Sequence, residues 1–297
     1  MSSRAAVPQA SPRRRLAAWL SGRPRVQLAL LLAGPALWIG LAYLGSLAIL
    51  LLNAFWKTDA FSGQVVPEFS LEAFETLLTN DVYRTITLRT VGIAAAVTVT
   101  DILLGFPIAY YMARIASRRT RRMLLIGVLL PLWASYLVKI YAWRVILQGN
   151  GVLDWLLAPF GVSGPGLNEV SNSWIVLSYL WLPYMILPIF AGLERIPQSM
   201  LEASADLGGR AWPTFRRVIL PLALPAVVAG SIFTFSLTLG DYITATMVSS
   251  TKFIGNVIYD NSALGSLPLA AAYSFVPIVI MIVYLVVARR LGAFESL

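Results

Sequence analysis

Long apolar stretches recur along the chain and dominate its pattern of hydrophobic and polar positions. A transmembrane helix needs about 20 predominantly apolar residues to cross roughly 30 Å of hydrocarbon. The stretches that are long enough lie at 28–52, 86–113, 123–147, 174–193, 218–240 and 268–288. The pattern therefore predicts an all-α, polytopic membrane protein with six transmembrane helices.

The polar segments between these stretches are too short to hold a separate soluble domain. We expect residues 1–27 to form a basic arm and residues 28–291 to form a single six-helix membrane domain. Residues 292–297 are then a short tail. The first stretch is longer than the apolar part of a secretory signal peptide, so we expect it to remain in the mature protein.

Composition supports a membrane location and excludes several kinds of catalytic and metal-binding chemistry. Of the 297 residues, 58% are hydrophobic and 12% are charged, which is too little polar surface for a soluble globule. Cysteine and histidine are absent. Thiol nucleophiles, disulfides, Cys/His zinc sites and His-dependent triads are therefore excluded, and we expect no catalytic residues and no metal site. A polytopic membrane enzyme is disfavoured for the same reason.

The positive charges fall on one side of the six stretches. Arginines cluster before the first stretch, after the second, after the fourth and after the last. Because basic residues are retained on the cytoplasmic side, we expect both termini in the cytoplasm. Topology explains the net charge of +9 better than nucleic-acid binding does. The predicted outer loops are 53–85, 148–173 and 241–267, and the first is expected to hold a short amphipathic helix.

One cytoplasmic segment, residues 194–217, is longer and more patterned than a simple connection. Pro197 suits the first turn of a helix, and Gly208-Gly209 can adopt the left-handed conformation that ends one. A helix of about ten residues is marginal alone in water, so its apolar side requires a docking partner.

The residues of this segment resemble the signature of the permeases of binding-protein-dependent ABC importers. That signature is Glu-Ala-Ala, three residues, Gly, nine residues, Ile, one residue, Leu-Pro. The matching residues here are Glu202, Ala203, Ser204, Gly208, Val218, Leu220 and Pro221. An ordinary capped amphipathic helix would match the first four of these equally well. The position after the fourth stretch, on the predicted cytoplasmic side, favours the permease signature.

The resemblance implies a fold, a location and partners. It implies a MetI-like permease core in the cytoplasmic (inner) membrane of a bacterium. It further implies that a coupling helix contacts an ATP-binding cassette ATPase dimer, which binds ATP and Mg, while an extracytoplasmic solute-binding protein delivers the solute. A second permease subunit, identical or paralogous, and membrane lipid complete the assembly. The resemblance assigns ATPase coupling to Glu202, Ala203, Ser204, Gly208, Leu220 and Pro221.

The chain has no nucleotide-binding loop of its own. A phosphate-binding loop needs a glycine one residue before its lysine and another six residues before it. The lysines are Lys57, Lys139 and Lys252, and they follow Trp56, Val138 and Thr251. We therefore expect no cofactor on this chain and ATP hydrolysis by a partner subunit, so the chain is a transport subunit and not an enzyme.

Further segments are similar to spermidine/putrescine-type permeases. These segments are Leu104–Tyr110, Leu130–Trp143, Gly149–Leu153, Gly240–Tyr242 and Gly255–Asn256. The similarity implies a polyamine-type substrate, and another small organic solute such as an opine or amino-acid derivative is the alternative. A secondary transporter driven by an ion gradient is the alternative class, but its inverted repeats and paired broken helices are not evident.

Several polar and aromatic residues are candidates for the substrate pathway. Asp101 lies thirteen residues before Arg114, which places it about 20 Å into the membrane. It either lines the pathway and attracts a cationic solute, or pairs with a basic residue, or is shielded by Thr98 and Thr100.

The other candidates lie near the outer ends of the third and fifth stretches. Tyr136, Lys139 and Trp143 fall near one helical face, where the rings either support the lysine, stack a cationic amine or belong to an interfacial belt. Asp241 and Tyr242 are gate candidates through the resemblance.

Overall fold

The structure is a computed structural model that describes residues 23–59, 63–161, 164 and 169–290. Most of the predicted arm and all of the predicted tail lie outside these residues. The chain divides into two compact units, Met1–Asn53 and Ala54–Leu297. The arm, domain and tail boundaries expected from the sequence stay predictions, although the first described helix already begins at Pro24.

The described part of the first unit is one helical rod. It consists of α1 (Pro24–Leu37), a π-helical segment (Trp38–Leu44) and α2 (Gly45–Leu52). Pro24 stands at the helix start, where its missing N–H costs no hydrogen bond. Pro35 lies inside α1, where it removes an intrahelical bond, and the π-helical segment begins three residues later.

A short insertion follows the 3-10 turn Asn53–Phe55. Strands β1 (Lys57–Thr58) and β2 (Val65–Val66) pair antiparallel, with Lys57 opposite Val66. The amphipathic helix expected in the first outer loop is confirmed as α3 (Glu72–Thr79). Its Phe74 ring lies 5.2 Å from that of Phe55 and 5.6 Å from that of Phe275, so the insertion packs on the last long helix.

Three long helices form the core of the second unit. They are α4 (Asp81–Tyr110), which continues as the π-helical segment Tyr111–Ile115, α8 (Val170–Arg195) and α11 (Leu220–Gly240). Small residues bring the helices close together. A Cβ on Gly192 would lie 2.3 Å from the Cβ of Ala226, and one on Gly105 would lie 3.2 Å from Cγ of Met185. This close approach is typical of helix packing in membranes, where apolar burial supplies little attraction.

The third predicted span is not one helix. Residues 123–147 divide between α5 (Arg118–Trp133) and α6 (Tyr136–Leu147), which meet at an angle of 95°. Ala134 and Ser135 have extended backbone conformations with ψ near 140°, so the helical ladder stops at them. The third predicted span is therefore a bent pair of helices. Among the described residues, five helices are long and apolar enough to span a membrane, and six spans result if the bent pair counts as one.

The remaining elements connect these helices. They are α7 (Val152–Leu157), a 3-10 turn (Ala158–Phe160), α9 (Gln198–Asp206), α10 (Ala211–Thr214), a π-helical segment (Phe215–Ile219), α12 (Ile243–Val248), α13 (Ile254–Ala263) and α14 (Leu267–Arg290). Helix α9 lies at one end of the core bundle and α12 at the other, because α11 separates them. Apart from the break, the long helices start and end within a few residues of the predicted spans.

Candidate functional site

Helix α9 has the start and end that the sequence of residues 194–217 requires, with one small difference. Pro197 precedes the helix in an extended conformation and does not occupy its first turn. At the other end, Gly208 has a φ of 78°. Its N–H donates to the Ala205 carbonyl at 2.9 Å, while the Gly209 N–H donates to the Ser204 carbonyl at 2.8 Å. This pair of bonds is a Schellman motif, which satisfies carbonyls that the helix end leaves free.

The end of α9 is also joined to the start of α10. The Ser204 hydroxyl lies 2.9 Å from the Thr214 hydroxyl, and Gly209 lies between them. A Cβ on Gly209 would come within 2.5 Å of the Ser204 carbonyl oxygen. Serine at position 204, where the signature has alanine, therefore adds a hydrogen bond within this segment.

The side chains of α9 divide into an anchored side and an exposed side. Leu201 packs on the core cluster that contains Leu193 and Ile219. Glu202 and Ala203 are exposed. Met200 is 46% exposed and Leu207 is 90% exposed, and both are apolar. Residues 200, 203 and 207 share a helical face, so α9 presents an apolar stripe beside the Glu202 carboxylate.

The last signature residues lie where α11 begins. Leu220 is partly exposed, and Pro221 occupies the first turn of α11, directly after the π-helical segment. The signature therefore divides between an exposed short helix and its junction with a core helix.

At the opposite end of the bundle, the Asp241 carboxylate is buried and fully engaged. It accepts hydrogen bonds from the Tyr136 hydroxyl, from the Thr244 N–H at 2.8 Å and from the Thr244 hydroxyl at 3.1 Å. Burial raises the pKa of the Asp241 carboxyl above its usual range, and these hydrogen bonds oppose that shift. The contact joins α6 to the first turn of α12.

A cavity of about 370 Å³ opens beside this carboxylate. Tyr136, Asp241, Tyr242 and Trp181 line it, so three of the predicted pathway residues come together. The Tyr136 and Trp181 rings stack with centroids 6.0 Å apart. The sequence did not point to Trp181, because there it is one apolar residue among many in the fourth apolar stretch. The prediction also missed Thr244, although an aspartate three residues before a threonine at a helix start is a recognisable capping pattern.

The two short motifs of the predicted third outer loop hold each other in place. Asn256 donates from Nδ2 to the Tyr242 carbonyl at 2.8 Å, and its Oδ1 accepts from the Phe253 N–H at 2.9 Å. A Cβ on Gly255 would lie 3.0 Å from the carbonyl oxygens of Gly240 and Asp241. Gly240–Tyr242 and Gly255–Asn256 therefore form one packed unit.

Lys139 and Trp143 lie apart from this cavity. The Trp143 ring packs against Tyr179, with centroids 5.4 Å apart, and not against the Tyr136–Trp181 pair. Lys139 is partly exposed and makes no ion pair within the described part of the chain. The three residues lie on one helix, α6, but of the three only Tyr136 lines the cavity.

Asp101 is fully buried in α4, and neither carboxylate oxygen has a hydrogen-bond partner among the described residues. The Thr98 hydroxyl donates to the Ala94 carbonyl, and the Thr100 hydroxyl accepts from the Trp174 indole at 3.0 Å. Among the described residues, neither threonine donates to the Asp101 carboxylate and no basic residue pairs with it. The pathway hypothesis for Asp101 stays a prediction. Within the described ranges, no group of three or more acidic residues forms a metal site.

Known proteins share this sequence and this architecture. The chain is 46% identical over 290 residues to the inner membrane ABC transporter permease protein YdcU of Escherichia coli K12, which covers 92% of each chain. It is 32% identical over 188 residues to the spermidine/putrescine transport system permease protein PotB of Haemophilus influenzae, covering 62% of this chain and 65% of that protein.

A solved structure has the same fold. It is a bacterial alginate ABC transporter in complex with an alginate pentasaccharide-bound periplasmic protein, and its matching chain aligns with a TM-score of 0.70 at 18% identity. The alignment covers 92% of this chain and 96% of that chain. Residues 101–294 match the family described as binding-protein-dependent transport system inner membrane component. The chain therefore belongs to that family and is an integral inner membrane permease subunit of an ABC importer, a transport component whose ATPase is a separate partner.

Proposed function

We propose that α9 is the coupling helix of this permease and that its exposed stripe docks on the partner ATPase. The observation that carries the proposal is the exposure of Met200 and Leu207 on a helix whose Leu201 is anchored in the core. Exposed apolar side chains on a short, capped helix mark a docking surface. The Glu202 carboxylate beside the stripe adds an acidic contact. The ATPase, and not this chain, binds ATP and Mg.

The proposed orientation places α9 and both termini in the cytoplasm. Arg195, Arg210, Arg216 and Arg217 flank α9, as expected for a cytoplasmic segment. The end that carries Asp241 then faces outward and receives solute from a binding protein. A second permease chain, identical or paralogous, pairs with this one, and lipid surrounds the pair.

The proposed substrate is a polyamine-type solute. The cavity beside Asp241 combines a carboxylate with the rings of Tyr136, Trp181 and Tyr242, and such a set attracts alkylammonium groups by charge and by cation–π contacts. Because Asp241 is already hydrogen-bonded, an incoming ammonium group shares the carboxylate with the Tyr136 and Thr244 donors or competes with them. The PotB relative supports this substrate class. An opine or amino-acid derivative is the alternative solute, and an ion gradient is the alternative energy source.

Uptake by the reconstituted assembly tests the proposal. We expect ATP-dependent accumulation of labelled spermidine or putrescine by proteoliposomes that contain both permeases, the ATPase and the binding protein. Glu202→Lys should lower uptake per ATP hydrolysed about tenfold, because the reversed charge weakens docking by roughly 1.4 kcal/mol or more. Asp206→Lys is the matched control, since Asp206 is an exposed acid on the same helix at a position that the signature leaves unspecified.

The outcomes separate the parts of the proposal. Normal uptake per ATP with Glu202→Lys would contradict the coupling role of α9. Transport of an opine in place of polyamines would leave that role intact and overturn the substrate. Uptake that follows an imposed ion gradient without ATP would favour the secondary transporter.

A further inference from the structure

Two arginines join three helix ends directly beside the start of α9. Arg114 belongs to the π-helical segment that ends α4. Its Nη2 donates to the carbonyl oxygen of Leu193 and, at 2.8 Å, to that of Ile196. These are among the last carbonyls of α8 and of the turn that leads into α9.

Arg121, in the first turns of α5, makes the complementary set of contacts. Its Nε donates to the Met112 carbonyl at 2.9 Å and its Nη2 to the Ala113 carbonyl at 3.0 Å. Its Nη1 lies 2.7 Å from Oε1 of Glu194. A single guanidinium group therefore binds the end of α4 and the end of α8 at once.

The chemistry explains why arginine occupies both positions. The last four carbonyls of a helix have no intrahelical partner, and the C-terminal end carries a partial negative charge. Helices α4 and α8 end side by side, so their ends repel each other. A guanidinium group offers five donors in a rigid plane and can bridge several acceptors, whereas a lysine ammonium acts as a point charge. If the only requirement were a positive charge on the cytoplasmic side, arginine and lysine would serve equally well.

We propose that Arg114 and Arg121 form a clamp, the arginine clamp, that transmits displacement of α9 to α4 and α5. Helix α9 is connected through the chain to α8 and α11 only. The arginine clamp adds directional polar contacts to the apolar packing between the ends of α4, α5 and α8, so that these ends move together. The proposal rests on the coupling role of α9 and makes Arg121 a positioning residue.

Transport stoichiometry in the reconstituted assembly tests this role. Arg121→Met should lower uptake per ATP hydrolysed by about tenfold or more, because it removes three charge-assisted bonds. Arg121→Lys keeps the charge but cannot bridge all three acceptors, so it should also be impaired. Arg122→Met is the matched control, because Arg122 is an exposed neighbour with no hydrogen-bond or ion-pair partner among the described residues. A purely structural role would lower the yield of assembled transporter and leave uptake per ATP unchanged.

A distance measurement gives an independent readout. The chain contains no cysteine, so spin labels can be attached to Arg119→Cys on α5 and Ser199→Cys on α9, both exposed positions. In the assembled transporter, the distance between the labels should stay constant between the resting and ATP-trapped states. Adding Arg121→Met should let that distance change on trapping.

The two proposals fail in different ways. If Arg121→Met and Arg121→Lys retain wild-type uptake per ATP and a constant distance while Glu202→Lys is uncoupled, the clamp is overturned and α9 remains the coupling helix. If Glu202→Lys also transports normally, both are overturned. Should Arg121→Met fail to assemble, Arg121→Lys decides between them.

Discussion

Asp101 illustrates at the scale of one residue how a carboxyl group can lie in a helix interface without a partner. Its side chain is fully buried, and no described group donates a hydrogen bond to it. A buried polar group without hydrogen bonds costs free energy that an apolar residue of similar size does not. The carboxyl therefore contributes nothing favourable to packing, which is consistent with the pathway role that its expected depth in the membrane suggests.

Replacing Asp101 separates stability from transport. We expect Asp101→Leu to stabilise the purified subunit by about 1–3 kcal/mol, because it removes an unsatisfied buried group. Thermal unfolding in detergent would measure this, with Thr98→Val as a control that removes a satisfied hydroxyl and should not stabilise. Uptake measured with Asp101→Asn checks the pathway hypothesis, which unchanged transport would remove. A lower unfolding temperature for Asp101→Leu would show that the carboxyl is paired after all.

At the scale of elements, the contact between α8 and α11 depends on residues without bulk. Gly192 lies against Ala226, and Gly230 lies against Met185, so the helix backbones approach closely along much of their length. Van der Waals contact between such surfaces is the main attraction available to helices in lipid. The core helices therefore tolerate little added volume at these positions.

Gly192→Ala tests this packing. The new Cβ would lie 2.3 Å from the Ala226 Cβ, so α8 and α11 have to separate. We expect a loss of about 1–3 kcal/mol in the free energy of unfolding, the usual range for overpacking. Gly127→Ala is the matched control, since Gly127 lies inside α5 with nothing within 4 Å of an added Cβ. That variant should gain roughly 0.5–1 kcal/mol from helix propensity. Equal effects of the two substitutions would contradict the close approach.

The sequence predicts some features of these elements and not others. Apolar length predicts the long helices, because a span requires it whatever the neighbours are. It does not predict the break between α5 and α6. Pro131 precedes that break, yet Pro183, Pro188 and Pro225 lie inside continuous helices. Proline composition therefore cannot locate the break, and contacts of Tyr136 with Trp181 and Asp241, far away in sequence, accompany it.

The candidate site also has some features that the sequence predicts and some that it does not. The spacing of Glu202, Ala203 and Gly208 predicts α9, because a short helix and its cap are local features. The acceptors of Arg114 and Arg121 are carbonyls, which every residue has, so no sequence pattern distinguishes a clamping arginine from one that only sets topology. Trp181 was missed for a related reason, since its partner Tyr136 lies on another element.

At the scale of the whole molecule, the proposed orientation assigns the two ends of the core bundle to different compartments. Helix α9 and its arginines lie at one end, and α12 and α13 lie at the other. The charge distribution favours a cytoplasmic α9, and solute delivery then occurs at the end that carries Asp241.

Single cysteines test the orientation, because the chain has none of its own. Ser262→Cys, exposed in α13, should react with a membrane-impermeant maleimide in spheroplasts. Ser199→Cys, exposed in α9, should react only after the membrane is permeabilised. Both labels should accumulate within minutes of exposure on the accessible side. The reverse pattern would invert the topology, and with it the assignment of α9 to the ATPase side.

The bend between α5 and α6 leaves backbone groups that need hydrogen-bond partners from outside their own helices. The last carbonyls of α5 and the first amides of α6 have no partners within their own helices. Hydrocarbon offers none, so irregular backbone at membrane depth persists only against protein or water. Trp133, on the rim of the bend, is 91% exposed in the isolated subunit. We therefore expect water to reach the backbone at this bend, and amides of α6 should exchange with deuterium faster than those of α8.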